Sequence, residues 1–111
     1  MEIISVSEKI GKSIITKEHE FFIKESIDNL DHILSLKRII EGITDYLKSN
    51  GVAKEELTDL ILNLKSYGKE LFIEGWLATT DEEEKEENIE EVKNEAAKHF
   101  DYIYKNEKHP K

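Results

Sequence analysis

The sequence predicts an all-α protein, a four-helix bundle with one short N-terminal helix and three longer helices. Three observations support this fold class. Apolar residues recur at three- and four-residue spacing in every long segment, which is the period of an amphipathic helix. The only proline is Pro110, one residue from the end, so no helix interior is interrupted by proline. The length of 111 residues corresponds to a single domain, 1–111.

The first helix is predicted from about Ser5 to Ile15. Its apolar face consists of four residues at helical spacing: Ile3, Val6, Ile10 and Ile14. Ser5 and Glu8 form the pattern of a capping box at the start of the helix. Gly11 counts against the helix, because glycine in a helix interior costs about 1 kcal/mol relative to alanine. An extended start over residues 3–6 is the alternative.

The second helix is predicted from Thr16, a good N-cap residue, to Ser49, with Gly51 in the left-handed conformation beyond its end. Unbroken, this helix would be about 50 Å long. Its apolar residues form two stripes offset by about a third of a turn. The stripes are Ile23, Ile27, Leu30 and Leu34, and then Leu36, Ile40, Ile43 and Leu47. Because one flat partner cannot bury both stripes, we predict a kink or a change of packing partner near Ser35.

The third helix is predicted from about Ala53 to Ala78. Its apolar face consists of Leu57, Leu60, Ile61, Leu64, Tyr67 and Leu71. The last two turns, residues 71–78, are apolar on nearly every side. A helical segment of this kind is buried in the bundle centre or in a subunit interface.

The end of the third helix carries a second apolar face, formed by Phe72, Ile73, Trp76 and Leu77. Left in water, this face would be an exposed patch of the kind that marks interaction sites, and aromatic side chains are the usual anchors of such contacts. We therefore predict a homodimer with these four residues at the interface. In the competing account, the N-terminal helix covers the face within one subunit through Val6, Ile10 and Ile14.

The fourth helix is predicted to begin at Thr80, which forms a capping box with Glu83. Residues 81–91 hold eight acidic residues and one lysine, a net charge of −7 out of the total of −9. This segment is interpreted as a solvated helix start whose acids favour the helix dipole. A surface that binds cations or a basic partner is the alternative. The apolar stripe is Ile89, Val92, Ala96, Phe100 and Ile103, and a polar tail begins near Asn106.

Composition argues against several classes of function. The chain has no cysteine, so disulfides and thiolate metal sites are excluded. A net charge of −9 and a single arginine, Arg38, disfavour nucleic-acid binding. No segment approaches the length of an apolar membrane span, and the N-terminus lacks the pattern of a signal peptide. We therefore expect a cytoplasmic protein. The abundance of Glu and Lys is typical of thermophilic proteins, although an AT-rich genome gives much of the same bias.

Two constellations contain possible metal ligands. Glu25, Asp28 and His32 follow one another at i, i+3 and i+7 in the second helix, and Glu95 and His99 at i, i+4 in the fourth. Bundles with two carboxylate-bridged metals use Glu-x-x-His from two of their helices, and this motif does not occur in the sequence. These five residues are weak metal candidates. The sequence predicts no catalytic residue, no cofactor and no tightly bound transition metal.

A row of polar residues on the third helix points to an alternative function: Glu56, Asp59, Asn63, Glu70 and Glu74. Helical nucleotide pyrophosphohydrolases hold Mg²⁺ with acidic clusters on adjacent helices, but the facing helix here has no matching acidic pair. We therefore predict a non-enzymatic helical interaction module that self-associates, with a further protein partner as a possibility. The alternative is an acidic bundle that handles a metal or a nucleotide.

Overall fold

The computed structural model describes residues 2–110 of the chain. Four α-helices follow one another: α1 (Glu2–Lys24), α2 (Asn29–Ser49), α3 (Lys54–Ala78) and α4 (Glu82–Asn106). These residues contain no β-strand. The helices pack against one another in a body of 50 × 25 × 25 Å. The predicted all-α four-helix bundle is confirmed.

Helix α3 is the centre of the arrangement, since it packs against each of the other three helices. Helix α2 also packs against α1 and α4, whereas no Cα atoms of α1 and α4 lie within 8 Å of each other. Helices α1 and α3 run in the same direction, because Glu8 accepts a hydrogen bond from Asn63, and Thr16 contacts Tyr67 further along both helices. None of the helices in residues 2–110 is long and apolar enough to cross a bilayer.

The core lies between these helices and consists of aliphatic residues and two phenylalanines. Its buried members are Ile15, Ile33, Leu36, Ile40, Leu47, Leu57, Leu60, Leu64, Phe72, Ala96, Phe100 and Ile103. About half of each predicted stripe belongs to this set, and Ile61, Tyr67 and Leu71 of the third helix are partly buried against it. In the fourth helix Val92 is buried outside this cluster, and Ile89 is exposed. Asn88, next to it, has non-helical torsion angles (φ −132°, ψ 36°) that interrupt α4 inside the acidic segment.

The boundary between the first two helices differs from the prediction. Helix α1 continues through Thr16, whose hydroxyl donates to the carbonyl of Lys12 at 2.8 Å instead of capping a new helix. The chain leaves the helix only at residues 25–28. Helix α2 is then helical throughout, including Ser35. The short first helix ending at Ile15 and the kink near Ser35 are therefore both wrong. The first predicted stripe combined Ile23 of α1 and Ile27 of the loop with Leu30 and Leu34 of α2.

A C-terminal cap ends α1 without any glycine. Ser26 takes the left-handed conformation with φ of 53°. Its N–H donates to the carbonyl of Ile23 at 3.2 Å, and the N–H of Ile27 donates to the carbonyl of Phe22 at 3.0 Å. This pair of bonds is a Schellman motif, which usually has glycine at the left-handed position. The sequence signal was weak because serine stands there instead.

Aspartates cap α2 and α4, where the sequence had predicted threonines. Asp28 accepts a hydrogen bond from the N–H of Leu30 at 2.7 Å, and Asp81 accepts one from the N–H of Glu83 at 3.0 Å. The hydroxyl of Thr80 donates to a carbonyl at the end of α3. The capping box predicted for Thr80 and Glu83 is therefore replaced by a cap one residue later. Gly51 has φ of 85°, as predicted for the residue beyond the second helix.

Two glycines allow α1 and α2 to approach α3 closely. A Cβ atom on Gly68 would lie 2.5 Å from Cδ2 of Leu36 in α2, and one on Gly11 would lie 2.8 Å from Cδ2 of Leu64 in α3. Real Cβ atoms do not come this close to another carbon, so a larger residue would require the buried leucine side chain or the helix backbone to shift. Gly11, which counted against a helix in the sequence, is thus a packing residue of that helix.

We expect Gly68→Ala to lower the free energy of unfolding by about 1–3 kcal/mol, because the added methyl overpacks the contact with Leu36. The matched control is Gly42→Ala, also inside a helix, where an added Cβ meets nothing within 4 Å. That change should stabilise by about 0.5–1 kcal/mol through helix propensity alone. Urea unfolding followed by circular dichroism measures both. Equal effects of the two changes would contradict the close approach.

Candidate functional site

An unpartnered apolar face runs along α1. We call it the α1 outer face, and it consists of Ile3, Val6, Ile10, Ile14 and Phe21. These residues fall on one side of the helix at three-, four- and seven-residue spacing, and Val6 and Ile10 are each 54% exposed. Scattered exposed apolar side chains are ordinary. A contiguous row of them is an exposed patch of the kind that occurs at interaction sites.

The α1 outer face is turned outward because α1 packs through its smaller side. Gly11 and Ile15 are buried against the other helices, and the hydroxyl of Thr16 lies 2.6 Å from the hydroxyl of Tyr67 in α3. The isoleucines that the sequence grouped as one apolar face lie about a quarter to a third of a turn away from these positions. Helix α1 therefore has two apolar sides, and the bundle buries only one of them.

The interface predicted at the end of the third helix is partly covered within the subunit. Phe72 is only 5% exposed, and Ile73, Trp76 and Leu77 are half-buried. Helix α1 reaches this region from one side, where His19 and Ile23 border Gly75, and α4 reaches it from the other, where the rings of Trp76 and His99 lie 5.1 Å apart. The part of α1 that borders this face is residues 19–23, not the Val6, Ile10 and Ile14 of the competing account.

A cavity of about 270 Å³ opens where α1, the 25–28 loop, α2 and α3 meet, and we call it the histidine cavity. It is lined by His19, Phe22, Ile23, Ser26, Ile27, Asn29, His32, Phe72, Gly75, Trp76 and Thr79. Aromatic and aliphatic side chains form most of the wall. No Asp, Glu, Lys or Arg is among these residues. The cavity exists because the Schellman turn places the start of α2 beside the end of α1.

Two histidines meet at one side of the histidine cavity. Nδ1 of His19 lies 3.4 Å from Nε2 of His32, a long hydrogen bond between neighbouring helices. The ring of His32 stacks on Phe22 with centroids 4.9 Å apart and an interplanar angle of 20°. Phe72 lies on another side of the same imidazole, at 6.2 Å. His32 is thus held in an aromatic environment.

Burial keeps both imidazoles neutral at neutral pH. Desolvation lowers the pKa of His32 from 6.5 to about 4, and the nearby His19 adds to the shift. The pKa of His19 is also lowered by desolvation, against the opposing attraction of Glu74 and Glu20. Each neutral imidazole has one nitrogen that donates a hydrogen bond and one that accepts. The pair therefore offers polar groups without charge.

A third histidine lies across Phe72 from this pair. The rings of His99 and Phe72 are parallel within 2°, with centroids 6.1 Å apart. Nε2 of His99 is buried and has no hydrogen-bond partner among the described residues. Burial lowers the pKa of this imidazole, to which His109 also contributes. Glu95 and His99 line a separate groove with Trp76, Lys98, Tyr102 and Pro110.

The weak metal candidates do not form a common site. Glu25 and Asp28 lie in the loop and cap between α1 and α2, and Asp28 contacts Nε2 of His109 at 3.1 Å. His32 points into the aromatic cluster, while Glu95 and His99 lie on α4. Within residues 2–110, no three His, Cys, Asp or Glu side chains gather closely enough to hold a metal ion. His19, which completes the histidine pair, was not singled out in the sequence.

The acidic row of α3 and the acidic segment 81–91 lie at the surface. Asp59, Glu70 and Glu74 are exposed. Nδ2 of Asn63 donates a hydrogen bond to Oε1 of Glu8 in α1 at 2.7 Å. In the acidic segment, Lys85 forms an ion pair with a neighbouring glutamate of its own helix. Comparisons with protein-family models, curated proteins and solved structures give no match, so these surfaces are interpreted from their own residues.

The low pKa of His32 predicts a pH dependence of stability. The imidazole of His32 takes up a proton near pH 6.5 in the unfolded chain and only near pH 4 in the folded chain. Its contribution to the free energy of unfolding is therefore fully present above pH 6.5 and is lost as the pH falls towards 4. We expect a loss of about 2 kcal/mol from this group, after a reduction for the water that still reaches the ring.

His32→Phe keeps the stacking on Phe22 and removes the titrating group, so its stability should fall less between pH 7.5 and 4.5. His109→Phe is the matched control, because His109 is exposed. Urea unfolding at both pH values measures how much the free energy of unfolding of each variant changes. The account is wrong if His32→Phe and the native protein lose equal stability over this range.

Proposed function

We propose that this protein is a non-enzymatic interaction module that forms a homodimer through the α1 outer face. The observation that supports it is the row of exposed apolar residues on α1, which no other part of residues 2–110 covers. The proposed surface differs from the end of α3 predicted from the sequence, because Phe72 is buried there. No specific observation favours the alternative of a metal- or nucleotide-handling bundle.

The spacing of the α1 outer face suits an antiparallel pair of helices. Ile10 and Ile14 lie two residues on either side of Lys12, and Ile3 and Phe21 lie nine residues on either side of it. A twofold axis near Lys12 would therefore place Ile10 of one copy opposite Ile14 of the other, and Ile3 opposite Phe21. A twofold interface requires this self-complementarity, because both copies contribute the same patch.

The charge distribution is also compatible with α1 as the contact. Helix α1 contains four lysines and four glutamates, so its formal charge is zero, and the remaining residues carry the whole net charge of −9. Two copies of the chain repel each other over most of their surfaces. Helix α2 also has a formal charge of zero, so pairing through α1 avoids the repulsion of the acidic α3 and α4 but charge alone does not favour α1 over α2.

The length of the α1 outer face suits a contact between two helices. The α1 outer face extends over about 27 Å between Ile3 and Phe21 at 1.5 Å per residue. Specific interfaces typically bury roughly 800 Å² per partner, so the flanking lysine and glutamate stems would contribute to the contact beside the five apolar residues. The apolar centre and charged borders match the usual anatomy of an interface.

We expect the native protein to sediment as a dimer at micromolar concentrations and Ile10→Glu to weaken dimerisation at least about 100-fold. The twofold axis would bring two buried carboxylates close together. The matched control is Leu62→Glu on α3, because Leu62 is 55% exposed and Ile10 is 54% exposed. Sedimentation equilibrium measures both variants, and circular dichroism checks that each remains folded.

Trp76→Ala separates this interface from the one predicted at the end of α3. Dimerisation through α1 should survive this change, whereas an interface centred on Trp76 should be lost. A native protein that remains monomeric at high micromolar concentration would contradict self-association altogether. Dissociation by Leu62→Glu but not by Ile10→Glu would contradict the choice of the α1 outer face.

A further inference from the structure

The size of the histidine cavity suits one small organic molecule. An apolar cavity of about 150 Å³ is enough to hold benzene. The volume of about 270 Å³ here matches a molecule of two fused rings. The walls are suited to a flat ring, because Phe22, Phe72 and Trp76 all border the space.

The lining restricts the charge of such a molecule. No side chain with a full charge is among the lining residues, and both imidazoles are neutral because burial lowers the pKa of His19 and His32. A bound anion would lose its hydration without gaining an opposite charge. It would also be repelled by the net charge of −9 and by Glu74 and Glu20, whose charges act on His19. The cavity therefore favours an uncharged ligand over an anion.

The histidine pair supplies the polar contacts. The 3.4 Å separation of His19 Nδ1 and His32 Nε2 is well beyond the most common length of such bonds, about 2.9–3.0 Å. Little binding free energy is therefore lost when the hydrogen bond between the two histidines is exchanged for two shorter bonds to a ligand. One nitrogen of the pair donates and the other accepts, so the matching ligand carries one N–H or O–H donor and one acceptor.

We propose that the histidine cavity binds an uncharged bicyclic heteroaromatic molecule, whose ring lies against Phe22 and Trp76 while its donor and acceptor atoms bond to His19 and His32. This binding function goes beyond self-association and does not require it, since none of the five residues of the α1 outer face lines the cavity. The polar residues Ser26, Asn29 and Thr79 border the same space and can contact substituents of the ring.

Benzimidazole is a suitable probe, because it is uncharged at pH 7.5 and has one N–H and one acceptor nitrogen. Trp76 is the only tryptophan of the chain, so its fluorescence reports directly on the cavity. We expect saturable quenching with a dissociation constant on the order of 0.1 mM, which is ordinary for a ligand with so few atoms. His32→Phe should weaken benzimidazole binding about tenfold.

Two controls make the test specific. His109→Phe removes an exposed histidine outside the cavity and should leave binding unchanged. Naphthalene has the same shape without polar atoms, so His32→Phe should leave its weaker binding unaltered. Ile10→Glu should bind benzimidazole like the native protein, whichever result the sedimentation experiment gives.

NMR of the native protein provides a test that needs no variant. Benzimidazole should shift the methyl signals of Ile23 and Ile27, which line the cavity, and leave those of the core residue Ile103 unchanged. The proposal is overturned if quenching does not saturate, or if Ile23 and Ile27 do not shift. Equal binding by the native protein and folded His32→Phe overturns the role of the histidine pair, and equal binding of 2-naphthoate overturns the preference for an uncharged ligand over an anion.

Discussion

The structure depends on how closely α1 and α2 approach α3 at two glycines. Gly68 accommodates Leu36 of α2, and Gly11 accommodates Leu64 of α3. Helix α3 packs against every other helix, and these two contacts bring α1 and α2 close to it. The leucine side chains fill the space that a Cβ would occupy, so close packing is obtained with few residues in a chain that is 37% charged.

The same contact determines which side of α1 meets solvent. A helix that packs through Gly11 and Ile15 turns its isoleucine row away from the bundle, and that row becomes the α1 outer face. Beyond this contact α1 continues to residue 24, so its last turns meet the start of α2 and the end of α3 around the histidine cavity. The proposed self-association surface and the proposed ligand cavity thus involve two different faces of one long helix.

The sequence predicted the features that depend on local periodicity. Helices α3 and α4 each contain a long apolar stripe at helical spacing, and their bounds were predicted to within a few residues. The prediction from the sequence was wrong where a helix ends without the usual residue and where packing depends on distant residues. Ser26 ends α1 without a glycine, so the end of this helix was missed and the second helix was predicted to begin at Thr16. Apolar residues of α1, the loop and α2 were then assigned to one helix, which suggested a kink. Periodicity also shows that Ile10 and Ile14 share a face, but not that the glycine side of the helix is the one that packs.

The side of α1 that faces the bundle is the central claim of this account, and NMR with a soluble paramagnetic agent tests it most directly. At the lowest concentration, the Ile10 methyl signal should be strongly broadened while that of Ile15 is protected. As the protein concentration rises, Ile10 should become protected through self-association. Equal protection of Ile10 and Ile15 at the lowest concentration would show that α1 packs through its isoleucine row, and the account would be wrong.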